Sequence, residues 1–301
     1  MPAPIALFVY NRPATTRQSL QALVKNEMAA SSTLIIFCDG PKANASETEI
    51  AKINEVRSVI REEQWCKKVE IVESPSNKGL ARSIVEGVSR IVEEYGSIIV
   101  LEDDLVVSPF FLKYMNESLV KYQHTEEVVC IHGYSIPVSY NEPIFFLKGA
   151  DCWGWATWRR GWTLYNPDGK ALLTDIENRK LAYEFNYYNT FNYTGMLKKQ
   201  VEGKINSWAI LWYASAFLQN KLTLYPGHSI VKNIGLDESG THSHNKSMMN
   251  TSVFNLPVVL ADIPVEESKN AKKKIACYFL RKSGIRVKLK SIPIFLQLLF
   301  K

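Results

Sequence analysis

Short apolar runs alternate with longer segments of helical periodicity through the first half of the chain. Each run is bounded by turn residues, which is typical of strands buried on both faces of a parallel sheet. The intervening segments carry apolar residues three to four positions apart, as amphipathic helices do. The predicted strands are 5–10, 34–38, 69–72, 98–101 and 128–132, and the predicted helices are 15–26, 47–63, 80–95 and 109–121. This alternation predicts a parallel, doubly wound α/β sheet.

The pattern changes after about residue 135. Residues 151–162, DCWGWATWRRGW, contain four tryptophans, and a helix is predicted over 207–220. The segment 170–199 is predicted to be helical in parts, and 225–240 to be a strand followed by a loop. We therefore expect residues 1–135 and 136–262 to be two halves of one domain, followed by a basic tail over 263–301.

Three carboxylates, Glu102, Asp103 and Asp104, follow the fourth predicted strand directly. The carboxyl ends of strands form the edge where open α/β sheets bind ligands. Carboxylates this close repel one another unless a cation neutralises them. Mg²⁺ and Mn²⁺ prefer oxygen ligands and commonly hold a substrate's phosphates. The hypothesis is a metal–diphosphate site, and the alternative is a solvated acidic turn, since short acidic motifs are common.

Composition places the chain among ordinary globular proteins. It has 301 residues, 46% hydrophobic and 22% charged, with a net charge of +6. Its five cysteines are scattered without a CxxC motif, which favours free thiols in a reducing compartment over a zinc site or a disulfide framework. The first ten residues lack the features of a signal peptide, and no apolar run reaches the roughly 18 residues that span a bilayer. A cytoplasmic location is expected.

Four short motifs stand at the predicted strand ends: NRP at 11–13, DG at 39–40, NKGLAR at 77–82 and EDD at 102–104. In this order they resemble the GT-A glycosyltransferases, which use nucleotide-sugar donors. NKGLAR is similar to the large bacterial family 2. Residues 100–115, VLEDDLVVSPFFLKYM, are closer to the inverting, metal-dependent N-acetylglucosaminyltransferase I type. The resemblance spans about residues 4–245 and implies a GT-A (Rossmann-like), mostly parallel sheet flanked by helices, with an acceptor-side second half.

The resemblance also implies a role for individual residues. Arg12 would face the donor diphosphate, and Arg82 would hold phosphates or uridine. Asp39 would accept a hydrogen bond from the N3–H of a uracil-type base. Glu102 and Asp103 would contact ribose and sugar, and Asp104 would ligate Mn²⁺ or Mg²⁺. An arginine fork fits phosphate oxygens, and a cation offsets the charge of a leaving diphosphate. The alternatives are a surface role for Arg12, a turn-stabilising role for Asp39 and an ion pair between Arg82 and Glu86.

The expected catalytic base is missing. An inverting transferase needs a base to deprotonate the acceptor hydroxyl. In the resembling families this base is a carboxylate directly after a tryptophan at a helix start, and the matching NSWAILW stretch has Ala209 there. We favour an inactivating replacement of aspartate at position 209. There are three alternatives. Asp237 or Glu238 could serve as the base, or the protein could be no catalyst. Position 209 could also simply need a small residue, on a buried helix face with Trp208 and Trp212.

The second half also carries candidate pocket residues. The tryptophan-rich segment lies where this group builds its sugar and acceptor pocket, and indole faces stack on sugar rings. Trp153, Trp155 and Trp208 are the predicted pocket residues, with a tryptophan-rich core as the alternative. The stretch 231–242, VKNIGLDESGTH, resembles the loop that closes over the donor. His242 is predicted to contact phosphate or metal, and its alternative is simple solvent exposure.

The tail carries nine lysines and arginines between residues 269 and 290, followed by an apolar stretch at 292–300. It is too short to span a bilayer but suits contact with an anionic inner membrane leaflet. A packed helix with a solvated basic face is the alternative. Nucleic-acid binding is not expected, because no nucleic-acid-binding fold accompanies the basic stretch.

The predicted function is inverting transfer of a sugar from a nucleotide-diphosphate donor, UDP-sugar favoured. The acceptor would be a hydroxyl of a glycan or lipid-linked glycan in bacterial surface-polysaccharide assembly. One alternative is a catalytically inactive sugar-binding protein. Another is a sugar nucleotidyltransferase, although the glycine-rich phosphate loop normal for that class is not seen near the N-terminus.

Overall fold

The computed structural model describes residues 2–235 and 249–282, and the statements below apply to that part of the chain. The strands are β1 (Ile5–Val9), β2 (Thr33–Cys38), β3 (Lys68–Glu73), β4 (Ser97–Glu102), β5 (Leu105–Val107), β6 (Val128–His132), β7 (Ile144–Lys148), β8 (Trp155–Trp158), β9 (Leu222–Pro226) and β10 (Val231–Asn233). The helices are α1 (Pro13–Val24), α2 (Glu47–Val59), α3 (Leu80–Tyr95), α4 (Phe111–Lys121), α5 (Arg159–Trp162), α6 (Gly169–Asn178), α7 (Ala182–Phe185), α8 (Tyr193–Val201), α9 (Trp208–Leu218) and α10 (Lys269–Lys282), with a 3₁₀ turn at Ala29–Ser31.

Eight strands form one sheet in the order β3-β2-β1-β4-β8-β6-β9-β7. The strands from β3 to β4 are parallel, and β6 is parallel to β9. β8 runs antiparallel between β4 and β6, and β7 runs antiparallel at the edge beside β9. The carboxyl ends of β1, β2, β3, β4, β6 and β9 therefore lie along one side of the sheet, which we call the carboxyl edge. The predicted mostly parallel α/β sheet is confirmed.

Helices cover both faces of the sheet. Alternation along β1 sends Ile5, Leu7 and Val9 to the cluster that contains residues of α1, α2 and α4, while Ala6 and Phe8 pack with α3, α5 and α9. A further apolar cluster joins α6–α9 and α10 to β7 and β9. The first and second predicted halves both contribute strands to the one sheet, which places residues distant in sequence along one edge.

One sequence prediction is wrong in detail. The helix predicted to begin at Pro109 begins at Phe111, because residues 105–107 form β5, which pairs with β10, and the Ser108 amide donates to the Ile230 carbonyl. The Ser108 hydroxyl accepts from the amide of Phe110 at 3.3 Å instead of capping a helix from residue 109. The tryptophan-rich segment is largely regular structure, since it supplies β8 and α5.

The described part of the tail is a packed helix. α10 buries Ala271, Ile275 and Phe279 against the cluster around β7 and β9. Lys272 is only 3% exposed and pairs with Glu267 at 2.9 Å. The rest of the tail, 283–301, lies outside the described residues. Within residues 2–235 and 249–282, no helix has the length and apolar character needed to cross a membrane.

Candidate active site

The carboxyl edge brings Arg12 and Asp104 together, although they are 92 residues apart in sequence. Arg12 follows β1 and Asp104 follows β4, and these strands are paired in parallel with Phe8 opposite Glu102. The Nη1 atom of Arg12 donates to Oδ2 of Asp104 at 2.9 Å. The two side chains are 25% and 15% exposed, so solvent or a ligand reaches this ion pair.

Asp103 and Glu102 lie behind that ion pair. Asp103 is buried and accepts a hydrogen bond from the Tyr10 amide at 3.3 Å. Burial, together with the Asp104 charge, raises the pKa of Asp103 to about 7. The same two causes raise the pKa of Glu102 well above its ordinary value. Arg12 is the cation that opposes both rises.

The excess of carboxylates over cations fits a divalent metal at this edge. In the described part of the chain, no three carboxylate, histidine or cysteine side chains converge into a complete metal cage. Mg²⁺ and Mn²⁺ are commonly held by one or two protein carboxylates and by the substrate's phosphates. Asp104 is partly exposed and contacts Arg12, which suits that mode of binding to an incoming diphosphate.

An Asp103→Asn substitution is expected to stabilise the metal-free protein at pH 8 by about 2 kcal/mol or more. The folded-state pKa of Asp103 lies near 7, above its unfolded value of 3.8, so the folded state resists deprotonation. Its stability therefore falls as the pH rises from about 4 to about 7. Asparagine does not titrate and keeps the oxygen that accepts from Tyr10.

Urea unfolding in the presence of a chelator measures this effect. The advantage of Asp103→Asn should be largest at pH 8 and fall towards zero near pH 4. An equal difference from the unmodified protein at both pH values would contradict the account of Asp103.

Asp39, at the end of β2, holds the NKG turn in place. Its Oδ1 accepts from the amides of Gly40 and Lys78, and its Oδ2 accepts from the Gly79 amide and the Asn77 side-chain amide, all at 2.9 Å. A carboxylate offers about four acceptor sites. The observed contacts are thus those of the alternative in which Asp39 stabilises a turn, and the turn that it stabilises is the one that follows β3. Recognition of a base by Asp39 stays a prediction that requires exchange of one of these bonds.

An Asp39→Asn substitution is expected to cost about 2–4 kcal/mol of unfolding free energy, because an amide nitrogen then faces backbone N–H donors. Gly79 adopts a φ of 79° without steric cost, so the hydrogen bonds to Asp39, and not a steric restriction, fix the conformation of the turn. Chemical denaturation measures the loss. Asp175→Asn, on the exposed surface of α6, is the matched control. A change below about 0.5 kcal/mol would show that the four bonds do not fix the turn.

Arg82 lies on the exposed side of α3. Its Nε donates to Oε1 of Glu86 at 2.6 Å, and Lys78 reaches the other oxygen of the same carboxylate at 2.8 Å. These contacts are those of the ion-pair alternative. Its predicted contact with phosphates or uridine would require the side chain to leave Glu86.

Gly235 lies directly beside the acidic motif. β10 pairs with β5, and the Ile234 amide donates to the Asp104 carbonyl at 2.8 Å. A Cβ atom on Gly235 would lie only 2.1 Å from Oδ2 of Asp104. Glycine at this position therefore lets the chain pass directly beside the predicted metal ligand. His242, seven residues further on, lies outside the described residues.

The predicted pocket tryptophans occupy different environments. Trp153 is half-buried and contacts the ring of Tyr134, with centroids 4.8 Å apart. Trp155 and Trp208 are buried and stack on each other at 5.5 Å. Because both are buried, they belong to the tryptophan-rich core that was the alternative, and they have no exposed face for a sugar. Ala209, in the first turn of α9, packs against the same cluster.

Sequence reasoning missed Asp151, which lies four residues before the start of β8, at the carboxyl edge. Its side chain is 40% exposed. Its Oδ2 accepts from the Tyr225 hydroxyl at 3.2 Å, and its Oδ1 accepts from the Cys152 amide at 2.8 Å. No local motif marks this aspartate, because its principal side-chain partner is 74 residues away in sequence.

The acidic motif, Arg12 and the sheet edge that unites them lie within one recognised sequence family. The model of glycosyl transferase family 2 matches residues 5–169, more than half of the chain. The chain belongs to glycosyl transferase family 2. The resemblance to GT-A glycosyltransferases is thereby confirmed, and the mixed, mostly parallel sheet flanked by helices is consistent with their Rossmann-like fold. Among curated proteins, none matches this chain.

Several solved structures share weak similarity with this chain. TarS of S. aureus aligns with a TM-score of 0.39 and 11% identity over 77% of this chain and 36% of its own. A UDP-glucose pyrophosphorylase complexed with UDP-glucose aligns with a TM-score of 0.35 and 14% identity over 74% and 90%. Glucosyl-3-phosphoglycerate synthase from Mycobacterium tuberculosis, in complex with Mn²⁺, UDP and phosphoglyceric acid, aligns with a TM-score of 0.33 and 11% identity over 59% and 64%. The chain spans about a third of the length of TarS.

Proposed function

We propose that this glycosyltransferase transfers a sugar, with inversion, from a nucleoside-diphosphate donor to a hydroxyl of a glycan or lipid-linked glycan. UDP-sugars are the favoured donors, and bacterial surface-polysaccharide assembly is the proposed setting. The observation that carries the proposal is the contact between Arg12 and Asp104 at the carboxyl edge, beside Asp103, which is buried, and Glu102, which is partly buried. A metal-bound diphosphate requires a cationic side chain for its phosphate oxygens and a carboxylate for its metal ion, and here these two groups are in contact.

Each of these groups has a role in the proposed reaction. A bound Mn²⁺ or Mg²⁺ would supply charge neutralisation to the leaving diphosphate. Asp104 would ligate that ion, and Arg12, released from Asp104, would donate its planar fork to phosphate oxygens. Glu102 and Asp103 would face the ribose and the sugar. The NKG turn, ordered by Asp39, would form the nucleoside end of the site.

The acceptor is proposed to bind on the side of β6 and β9. Trp153 stands there with a partly exposed indole that suits the apolar face of a sugar ring. A cavity of about 410 Å³ also opens at the carboxyl ends of these two strands. Its lining residues are 135–138, 227–229 and 251–256. Hydroxyls, a histidine and apolar side chains mix in this lining, which suits a polyhydroxylated ligand.

Peripheral contact with an anionic membrane is proposed for the tail beyond α10. The end of α10 is basic, with Arg281 and Lys282 exposed in its last turn. Sedimentation with phosphatidylglycerol vesicles, compared with phosphatidylcholine vesicles, tests this contact. Equal binding to both, or none to either, would contradict it.

Thermal unfolding with a panel of UDP-, GDP- and dTDP-sugars tests the donor assignment. UDP-sugars with Mn²⁺ should raise the unfolding temperature, and a chelator should abolish the rise, because only ligands that bind the folded state stabilise it. UDP release should accompany binding. Binding without release would favour the inactive sugar-binding alternative, and indifference to every nucleotide sugar would overturn the proposal.

A further inference from the structure

The strand register places Asp151 beside the predicted donor site. Trp155 pairs with Val100 of β4 and with His132 of β6. Because β8 runs opposite to both, the residues that precede Trp155 lie next to those that follow β4 and β6. Cys152 is close to both charges, since burial and then the charges of Asp151 and Glu102 raise the pKa of its thiol. Asp151 therefore shares the carboxyl edge with the acidic motif.

The carboxylate of Asp151 is held in place without being neutralised. Tyr225 and the Cys152 amide each donate one hydrogen bond to it. His132 lies 3.6 Å away, but its Nε2 accepts from the Trp153 amide at 3.0 Å, which requires a neutral ring protonated on Nδ1. Burial lowers the pKa of His132 and keeps it neutral. Within residues 2–235 and 249–282, Asp151 forms no ion pair with lysine or arginine.

Aromatic side chains surround this carboxylate. The tyrosines involved come from the segment after β6, the α7–α8 region, α9 and β9, and for each of them burial, followed by the Asp151 charge among other charges, raises the pKa. They are Tyr134, Tyr187, Tyr193, Tyr213 and Tyr225. Four of the five rings are buried, and the hydroxyls of Tyr134 and Tyr213 already donate to backbone carbonyls. These rings therefore enclose the inner side of the Asp151 carboxylate, and the 40% of its side chain that is exposed is left for the hydroxyl of an acceptor.

We propose that Asp151 is the general base that deprotonates the acceptor hydroxyl in the reaction proposed above. The acceptor proton passes to a carboxylate oxygen of Asp151 while the acceptor oxygen forms its bond to the anomeric carbon. The bond from that carbon to the diphosphate oxygen breaks, and its electron pair leaves with the nucleoside diphosphate. The proton on Asp151 then passes to solvent. This inference rests on the proposed function.

Asp151 removes the need for a base at position 209. Ala209 packs against the cluster that contains Trp155, Trp208 and Trp212, and so occupies a partly buried, apolar site. An aspartate introduced there would have to ionise against those indoles. Asp151, by contrast, is 40% exposed and already oriented by two donors. The chain therefore carries its own base on a different element.

Release of UDP from UDP-glucose and UDP-N-acetylglucosamine, with Mn²⁺ and water as the acceptor, provides the assay. Asp151→Asn should lower kcat for this release by about 100-fold or more, the size of a lost general base. The increase in unfolding temperature on adding UDP and Mn²⁺ should be unchanged, because Asp151 lies beside the donor site but is not one of the residues proposed to bind the donor. Asp175→Asn on the exposed surface of α6 should behave as the unmodified protein.

Chemical rescue separates a base from a structural role. In Asp151→Ala, added formate should restore UDP release with saturation, whereas Asp151→Ala without formate should stay inactive. Full activity in Asp151→Asn, or loss of UDP·Mn²⁺ binding together with activity, would overturn the assignment. A gain of activity in Ala209→Asp with no loss in Asp151→Asn would return the role to position 209. If the unmodified protein neither binds nor releases UDP, the proposed function itself fails.

Discussion

Replacing Asp104 with asparagine should lower metal-dependent sugar transfer by about 100-fold to 1,000-fold, because a metal's charge stabilisation is worth several kcal/mol. Asp104 is a partly exposed acid two residues after β4 and is the direct partner of Arg12. The amide would keep the shape of the side chain but remove the negative charge that holds the cation. UDP release from a UDP-sugar at several Mn²⁺ concentrations measures the change.

The concentration of metal needed for half-maximal activity should rise in Asp104→Asn. Asp175→Asn, with the same change on the exposed surface of α6, should leave both values as they are. A variant that keeps its activity and its metal requirement would show that Asp104 does not ligate the ion.

Replacing Gly235 with alanine should weaken activity by about 100-fold without unfolding the protein, since a displacement of about 1 Å at a reacting group has that cost. The added Cβ would lie 2.1 Å from Oδ2 and 2.8 Å from Cγ of Asp104, so the carboxylate must move. Its hydrogen bond to Arg12 moves with it. The effect should appear as a higher metal requirement with little change in the unfolding temperature.

Gly169→Ala is the matched control. Its Cβ would meet only the ends of side chains, 3.2 Å from Leu211 and 3.3 Å from Val201, at the first residue of α6. Activity should be unchanged there. If Gly235→Ala were as active as the control, the close passage of this segment beside Asp104 would have no role in catalysis.

The first half of the fold could be predicted from the sequence because its strands are buried on both faces. β1, β4 and β6 are continuous apolar runs whose order alone implies parallel pairing. β8 could not be placed in this way. It lies antiparallel between β4 and β6, a pairing that depends on contacts far apart in sequence, and its tryptophans look equally suited to a sugar pocket.

The candidate site, like the fold, could be predicted from the sequence only in part. Strand-end position was enough to bring Arg12 next to Asp104, since both follow neighbouring parallel strands. Apart from the bond from the neighbouring Gly40 amide, the bonds to Asp39 come from a turn 38 to 40 residues later, and no local pattern predicts them. Asp151 is a single acid whose significance depends on Tyr225, on β9, and on the register of β8.

Crystals grown with UDP and Mn²⁺, measured at the manganese absorption edge, would test the metal–diphosphate site most directly. We expect one anomalous peak, bonded to a carboxylate oxygen of Asp104 and to the diphosphate, with Arg12 turned from Asp104 towards phosphate. A peak remote from Asp104, or UDP bound away from Arg12 and the carboxyl edge, would contradict it.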